Sequence, residues 1–296
     1  MQIELKGGLG NQLFQYAVGV FLIKRLKKEV TFKSSNPSFH KINQRTDLSD
    51  FNFKYRIESN DAVIRGGKLF MLRIIRRTMK CYFKFTSRGN FLFKSYESPV
   101  TGFDLNLAKI HNVKKVSGYF QTYQYVDAIK QDFISQISLQ SESEVFKSFL
   151  SLAKVENPLI IHIRGGDFKN HLNSSGLLSF QYFQKALEIG RKIIEPSNIW
   201  FFSDDEAYCD EMVKNLKIQN CRKIYPNSGL SPAETLVLMS NGSGIIISNS
   251  TFSWWAAYLS KNPVYVIAPD KWFRNMADPM ALIPNSWIKA PASWNS

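Results

Sequence analysis

The chain has 296 residues, 44% of them hydrophobic, and a formal net charge of +14. That is enough to bury a real core and suggests about two domains, while the charge favours anionic partners: nucleic acid, an acidic membrane face or phosphorylated substrates. Three scattered cysteines, Cys81, Cys209 and Cys221, with no CxxC spacing, suggest neither a disulfide framework nor a zinc site, and no apolar run approaches the ~20 residues of a membrane span.

Gln2–Leu5 alternates like a strand. Met1 runs straight into it, so no signal peptide is expected, and the cysteine usage fits a reducing cytoplasm. Next comes the loop Gly7-Gly8-Leu9-Gly10-Asn11-Gln12. Leu13, Phe14, Tyr16, Ala17, Val20, Phe21 and Ile23 then carry helical spacing, closed by Lys24, Arg25, Lys27 and Lys28. Strand, glycine loop and helix can bring backbone N–H groups to a ligand, or can simply make a tight turn. The GxGxxG spacing fails and no Walker lysine follows.

Residues 30–60 read as polar loop. Ala62 to Tyr96 holds no acid, and its bases interleave with apolar residues. Part of it reads as a basic amphipathic helix, suited to an anionic membrane surface, to nucleic-acid phosphates, or to packing on the core with a solvated basic face. Val113 to Val116 reads as a strand. After it, Ser117-Gly118-Tyr119-Phe120-Gln121-Thr122-Tyr123 offers rings and an amide for a sugar pocket or for packing. Val126 to Leu152 is helical and charged, and the first domain ends near Val155 to Asn157.

The second half opens on Leu159 to Ile163, a buried parallel strand that stops at Arg164-Gly165-Gly166-Asp167. A guanidinium at a strand end beside permissive backbone suits phosphate or carboxylate, or pairs with Asp167. Phe180 to Ile194 reads as a helix with Phe183, Leu187 and Ile194 inward. Asn198 to Phe202 is a strand ending in Ser203-Asp204-Asp205. Met212 to Leu216 is helical and Cys221 to Tyr225 a strand. Ser231-Pro232-Ala233-Glu234 has the form of a capping box. Gly244 to Ile247 runs into the hydroxyl-rich turn Ser248 to Ser253, and Pro263 to Ala268 is a further strand. The alternation means a parallel, Rossmann-like sheet with three polar strand ends on one edge, which together describe a nucleotide site.

Gly7 to Ala17, His162-Ile163-Arg164-Gly165-Gly166-Asp167-Phe168, Phe202-Ser203-Asp204-Asp205 and Ser248-Asn249-Ser250-Thr251-Phe252-Ser253-Trp254-Trp255 resemble the motif set of α-1,2-fucosyltransferases, glycosyltransferase family 11, in that family's order. The resemblance implies an α/β, GT-B-like fold: two Rossmann-like domains with a cleft between them, 1–155 on the acceptor side and 156–296 binding GDP-fucose. It implies metal-independent, inverting transfer of L-fucose from GDP-fucose to the 2-hydroxyl of galactose, with no cofactor. The acceptor would be a galactose-terminated glycan or a lipid-linked precursor of O-antigen or another surface polysaccharide. That role places the protein in the cytoplasm, peripheral to the inner face of the plasma membrane, with residues 62–96 against anionic lipid and no nucleic acid involved. One departure stands out: Gly165 replaces the family's second Arg, and Phe168 its Tyr.

Within that frame Arg164 takes the leaving diphosphate, helped by Ser250, Thr251, Phe252 and Ser253 at a helix start. Gly10 and Ser203 join the donor site. His162, on the same strand face as Arg164, orients the donor or is a satisfied core histidine. Asp204 and Asp205 bind ribose or guanine, or resemble a metal-binding pair that lacks a third ligand. Asp167 and Asn11 are the candidates at the acceptor hydroxyl, Asn11 by positioning alone. Trp254 and Trp255 are core or sugar platforms. A different nucleotide-sugar transferase, a basic nucleic-acid-binding protein and a non-catalytic glycan-binding module are the competing readings.

Overall fold

The computed structural model describes residues 1–34, 47–58, 94–110, 112–261 and 263–295. The expectation for the basic 62–96 segment therefore lies outside the described residues as far as 93, as does Cys81.

Two parallel sheets organise the described chain. In the first, β1 (Gln2–Leu5), β2 (Thr31–Ser34), β3 (Ile57–Glu58), β4 (Ser95–Glu97) and β5 (Lys115–Ser117) stand in the order β3-β2-β1-β5-β4. In the second, β6 (Leu159–Ile163), β7 (Ile199–Ser203), β8 (Arg222–Ile224), β9 (Gly244–Ile246), β10 (Tyr265–Pro269) and β11 (Ile288–Ala290) stand in the order β11-β10-β9-β6-β7-β8. Each order reverses once, between β1 and β5 and between β6 and β9. Such a reversal opens a crevice at the carboxyl ends of the strands, where α/β sheets bind ligands.

β6 and β7 are buried along their whole length. They carry apolar residues on both faces because both faces are covered. Leu159, Ile161 and Ile163 join Phe183, Cys209 and Met212 in a core on the outer face. Ile160, Trp200 and Phe202 point the other way, into a core shared with Ile3, Leu13, Phe14 and Phe32 of the first sheet's unit. The period of two puts His162 and Arg164 on the side facing that unit.

Two helices carry the junction. Helix α1 (Leu9–Leu26) is buried almost all round, and the helix Thr251–Leu259 lies against it. Phe14 sits with its ring 4.6 Å from Trp254 and 4.9 Å from Trp255, centroid to centroid. Both tryptophans are fully buried, and their indoles donate to backbone: Trp254 Nε1 to Leu282 O and Trp255 Nε1 to Gly10 O, each at 2.9 Å. They are core, not sugar platforms. Burying an aromatic of this size contributes on the order of 2–3 kcal/mol, more than any exposed ion pair here. At Gly10 the two backbones touch. A Cβ there would stand 2.4 Å from the Thr251 carbonyl carbon and 2.6 Å from Phe252 N.

Three expectations are corrected. Val126 to Leu152 is not one helical stretch. It forms short helices at Tyr123–Asp127 and Lys130–Ile134 and a longer one at Glu144–Glu156. The intervening residues pair instead with the 50–52 segment, through Asn52 N to Ser138 O and a Phe51–Leu139 bridge. Ile194 is outside, 47% exposed, because the helix that should turn it inward ends at Arg191. The 30–60 region holds β2, whose Phe32 is fully buried. The capping box at Ser231 and Glu234 is formed in both directions, and Glu234 also accepts from Ser143 N at 2.7 Å. That bond, with Trp200 Nε1 donating to Glu156, ties the Glu144–Glu156 helix to the second sheet's unit.

Gly10→Ala should lower the urea midpoint by the equivalent of about 1–3 kcal/mol, since neither backbone at the contact can yield. Gly8→Ala, with nothing within 4 Å of the new methyl, is the control; because Gly8 is the N-cap of α1, where Ala is a poorer cap, it should cost about 0.5 kcal/mol, less than Gly10→Ala. Equal midpoints for the two variants would remove the close contact as a determinant of stability.

Candidate functional site

The two crevices face one another. From the second sheet come the loops after β6, β7 and β9; from the first come the Gly7–Asn11 loop after β1 and the 118–122 turn after β5. The Gly10 contact with Thr251 and Phe252 and the Trp255–Gly10 hydrogen bond join them.

At the end of β6, Arg164 is held by two carboxylates. Its Nη2 lies 2.6 Å from Asp167 Oδ1 and its Nη1 2.8 Å from Asp204 Oδ2. The pairing with Asp167 that the sequence left open is thus formed, alongside a second. Nε is buried without a partner among the described residues, and the guanidinium carbon stands 5.4 Å from the centre of the Phe168 ring. The Arg164 side chain is 27% exposed, so the head remains reachable from the crevice.

Asp204 and Asp205 shape the loop as well as charge it. Asp204 Oδ1 accepts from Gly165 N at 2.9 Å. Asp205 caps the helix Glu206–Asn215 by accepting from Tyr208 N at 3.0 Å, and pairs with Lys169 Nζ at 2.5 Å. Burial would raise the Asp205 carboxyl, but Lys169 and the amides of Tyr208 and Gly166 outweigh it and hold the group below the usual carboxylate range. The two glycines follow from this packing. A Cβ at 165 would stand 2.5 Å from Asp205 Cβ, and one at 166, where φ is +23°, would stand 2.2 Å from Asp204 Oδ2. The loop as it stands has no room for a side chain at 165. Ser203 is used locally, its hydroxyl exchanging 3.1 Å hydrogen bonds with the Asp205 backbone.

Across the β6–β9 crevice, His162 Nδ1 lies 2.7 Å from Ser248 Oγ, and its ring centre 6.0 Å from that of Phe252. His162 is buried, and desolvation, then the nearby Arg164 charge, pushes its pKa down to about 3. It is a neutral imidazole across the physiological range. The helix Thr251–Leu259 begins at Ser250 without a side-chain cap, so the amides of its first turn lack intrahelical acceptors. Ser253 donates its hydroxyl back to Ser250 O at 3.1 Å. What this turn offers a ligand is therefore backbone N–H and helix dipole more than the Ser253 hydroxyl.

The first unit's edge is amide-rich. Asn11 Oδ1 accepts from Gln121 Nε2 at 2.9 Å, and Gln12 Nε2 donates to Gly7 O at 2.7 Å. Gln15, fully buried, accepts from Lys6 N at 2.8 Å and donates to Gly118 O at 3.1 Å, lacing the loops after β1 and β5 together.

Of the residues singled out in the sequence, Arg164, Asp167, Asp204, His162, Ser250, Thr251 and Phe252 assemble around the second crevice; Gly10 meets Thr251 and Phe252 from the first, and Asn11, next to it in the chain, is held by Gln121. Ser203, Asp205 and Ser253 make turn and cap contacts. Three partners stand outside the expected site residues: Ser248 pairs His162, Lys169 pairs Asp205, and Gln121 holds Asn11. The hydroxyl-rich 248–253 turn gave a signal for the first and the 117–123 turn for the last; Lys169 had none. No group of three His, Cys, Asp or Glu able to hold a metal ion occurs among the described residues.

The sign of the His162 effect on stability can be worked out. The unfolded imidazole binds a proton near pH 6.5 and the folded one only near 3, so stability is full above 6.5 and falls as pH drops toward 3. His162→Asn should flatten this acid limb, narrowing the loss between pH 7.5 and 5 by about 2 kcal/mol in urea titrations. An unchanged acid limb would place the titration elsewhere.

A sequence model described as Glycosyl transferase family 11 matches residues 1–288. The O-antigen biosynthesis glycosyltransferase WbnK of Escherichia coli is 27% identical, over 96% of this chain and 98% of that protein. The alpha-1,2-colitosyltransferase of Escherichia coli is 24% identical, over 97% of each. The galactoside 2-alpha-L-fucosyltransferase SEC1 of Bos taurus is 24% identical, over 60% of this chain and 52% of that protein. Among solved structures, the fucosyltransferase NodZ from Bradyrhizobium superposes with a TM-score of 0.51 at 12% identity, covering 87% of this chain and 91% of that one, a likeness of fold. With its paired parallel sheets in the GT-B arrangement, the chain belongs to glycosyl transferase family 11 and is a glycosyltransferase.

Proposed function

We propose that the protein transfers L-fucose, with inversion, from GDP-fucose to the 2-hydroxyl of a galactose residue in a surface-glycan acceptor of the O-antigen kind. The observation that carries this reading is the arrangement at the β6–β9 reversal: Arg164 at one strand end and the uncapped helix start at Ser250–Ser253 after the other. A leaving nucleoside diphosphate gathers negative charge as the sugar bond breaks, and fixed donors in a partly buried crevice stabilise it. The names of the relatives supply the sugar and the acceptor class.

In this reading the diphosphate displaces Asp167 from Arg164. Asp167 is the more exposed of the two partners, at 61% against 26% for Asp204. Asp204 stays, holding the Gly165 turn and the guanidinium in place. Asp167, once released, lies beside the reacting centre and is the carboxylate available to take the acceptor proton. Neutral His162 orients the donor without adding charge. No metal enters the scheme.

A second donor stays in play because one relative over nearly the whole chain is a colitosyltransferase. Calorimetric titration with GDP, GDP-fucose, GDP-colitose and GDP-mannose, each with and without EDTA, separates the readings. Saturable GDP and GDP-fucose binding that survives EDTA is expected; binding abolished by EDTA overturns the metal-free scheme, and preference for another donor replaces the sugar. Arg164→Ala should lower kcat on the order of 10²-fold with a small change in acceptor KM. Near-wild-type turnover would remove Arg164 from the mechanism.

The proposal includes a place of action at the inner face of the plasma membrane, motivated by the charge of +14 and the acid-free stretch from 62 to 96. The protein should sediment with vesicles containing phosphatidylglycerol at low salt and be released at high salt. Equal partition onto neutral phosphatidylcholine vesicles, or none onto either, would sink this part.

A further inference from the structure

Gln121 has no role in the scheme above, yet the fold goes to some length to hold it. It follows Phe120, a buried ring whose backbone is left-handed at φ +53°. A bulky residue stays in that region only where its surroundings over-determine it. Here they do. Gln121 N donates to Thr101 O at 2.7 Å, Thr122 Oγ1 to Ala281 O at 2.7 Å, and Gln15 clamps Gly118 O at 3.1 Å. The side chain so aimed is buried, at 7% exposure. Its Nε2 donates to Asn11 Oδ1 at 2.9 Å, while its Oε1 is buried with no partner among the described residues. Leaving a buried amide oxygen unpaired is unfavourable, so packing keeps this carboxamide where it is against that cost.

The consequence falls on Asn11. A carboxamide has a donor end and an acceptor end, and which end faces a ligand depends on what the other end meets. The two ends meet in complementary sense, Gln121 Nε2 donating and Asn11 Oδ1 accepting, so neither amide can turn unless the other turns with it. Rotating the Asn11 amide would set two N–H groups against each other. The Nδ2 end is then the one left over. It lies above Gly7, where a built Cβ would come within 2.8 Å of it, and it has no acceptor among the described residues. Gly7 at φ +80° and Gln121 thus bracket the Asn11 amide from two loops.

We infer that Gln121 is a positioning residue that locks the polarity of Asn11, so that the Asn11 Nδ2 is presented as a fixed donor to a sugar oxygen bound where the two crevices meet. The inference rests on the proposed function, because it needs a sugar in that place. An asparagine cannot take the acceptor proton. A fixed N–H can instead orient an oxygen lone pair, which makes the donor end the functional one. Gln121 acts through Asn11 and touches no reacting atom.

Gln121→Glu tests this. An ionised carboxylate only accepts, so Asn11 must turn Nδ2 toward Glu and present Oδ1 to the crevice, reversing its polarity at nearly constant shape; kcat is read from about pH 6 to 9, because a protonated Glu would donate as Gln121 does. With GDP-fucose as donor, turnover is read as transfer to N-acetyllactosamine or as donor hydrolysis by water. The expected result is a fall in kcat of at least about tenfold. The GDP dissociation constant should change by less than about twofold, since Arg164 and the Thr251–Leu259 helix belong to the other unit. Gln121→Ala, which frees the amide without reversing it, should cost less than Gln121→Glu, and it carries the same test should the Glu variant fail to fold. In an Asn11→Ala background either substitution should change kcat by less than about twofold, because the residue it acts through is gone. Wild-type kcat in Gln121→Glu, or the same further loss in the Asn11→Ala background, overturns the inference while GDP binding leaves the proposed function standing. A wild-type protein with no affinity for GDP overturns the proposed function and the inference together.

Discussion

The contact on which the rest depends is the crossing of two helix starts at Gly10. Because that residue lacks a side chain, the backbone at the start of α1 lies directly on the Thr251–Phe252 peptide, and Trp255 can reach Gly10 O with its indole N–H. Phe14 then fits against both tryptophans, and the apolar interior runs without a break from the first sheet to the inner face of the second. Close packing of this kind does not deform smoothly. It sets the distance between the two strand-order reversals, and so fixes how a ligand held by one unit is presented to the other.

The electrostatics of the crevice are less simple than a basic protein suggests. Arg164 and Lys169 face three carboxylates, Asp167, Asp204 and Asp205, all within ion-pair distance. The global charge of +14 is therefore not concentrated here. In the proposed reaction, attraction for the leaving diphosphate comes from the orientation of a few donors: the Arg164 fork, the first-turn amides of the Thr251–Leu259 helix and the dipole behind them. The carboxylates also keep the guanidinium in one place. Preorganisation of this sort lowers the cost of arranging donors when charge develops.

Neutrality at His162 belongs to the same design. A charged imidazole beside Arg164 would repel the group that holds the anion. Burial and the nearby Arg164 charge keep it uncharged, and the Ser248 hydrogen bond satisfies its buried Nδ1. On the opposite edge, amides do the work that charges do on this one. Asn11, Gln12, Gln15 and Gln121 tie the two loops of the first unit with neutral hydrogen bonds. A sugar, with many hydroxyls and no charge, matches such an edge, as a nucleoside diphosphate matches the other.

Much of this could be read from the chain alone, wherever the signal is local. Leu159–Ile163 and Ile199–Ser203 announce themselves as buried parallel strands because covering both faces leaves no polar alternation, and the Ser231–Glu234 cap follows from four adjacent residues. The polar strand ends describe a nucleotide site, and the order of the motifs carries the resemblance to the family the chain belongs to. What the chain could not say is which of several possible partners a polar side chain takes. Asp205 and Ser203 are spent on a helix cap and a turn, Arg164 has two carboxylate partners, and the tryptophans are core; each outcome depends on residues distant in sequence that arrive only with the packed fold. The Asn11–Gln121 bond spans 110 positions. Local sequence determines strands, caps and glycine turns because those are settled within a few residues; the tertiary structure alone decides which end of an amide faces the ligand.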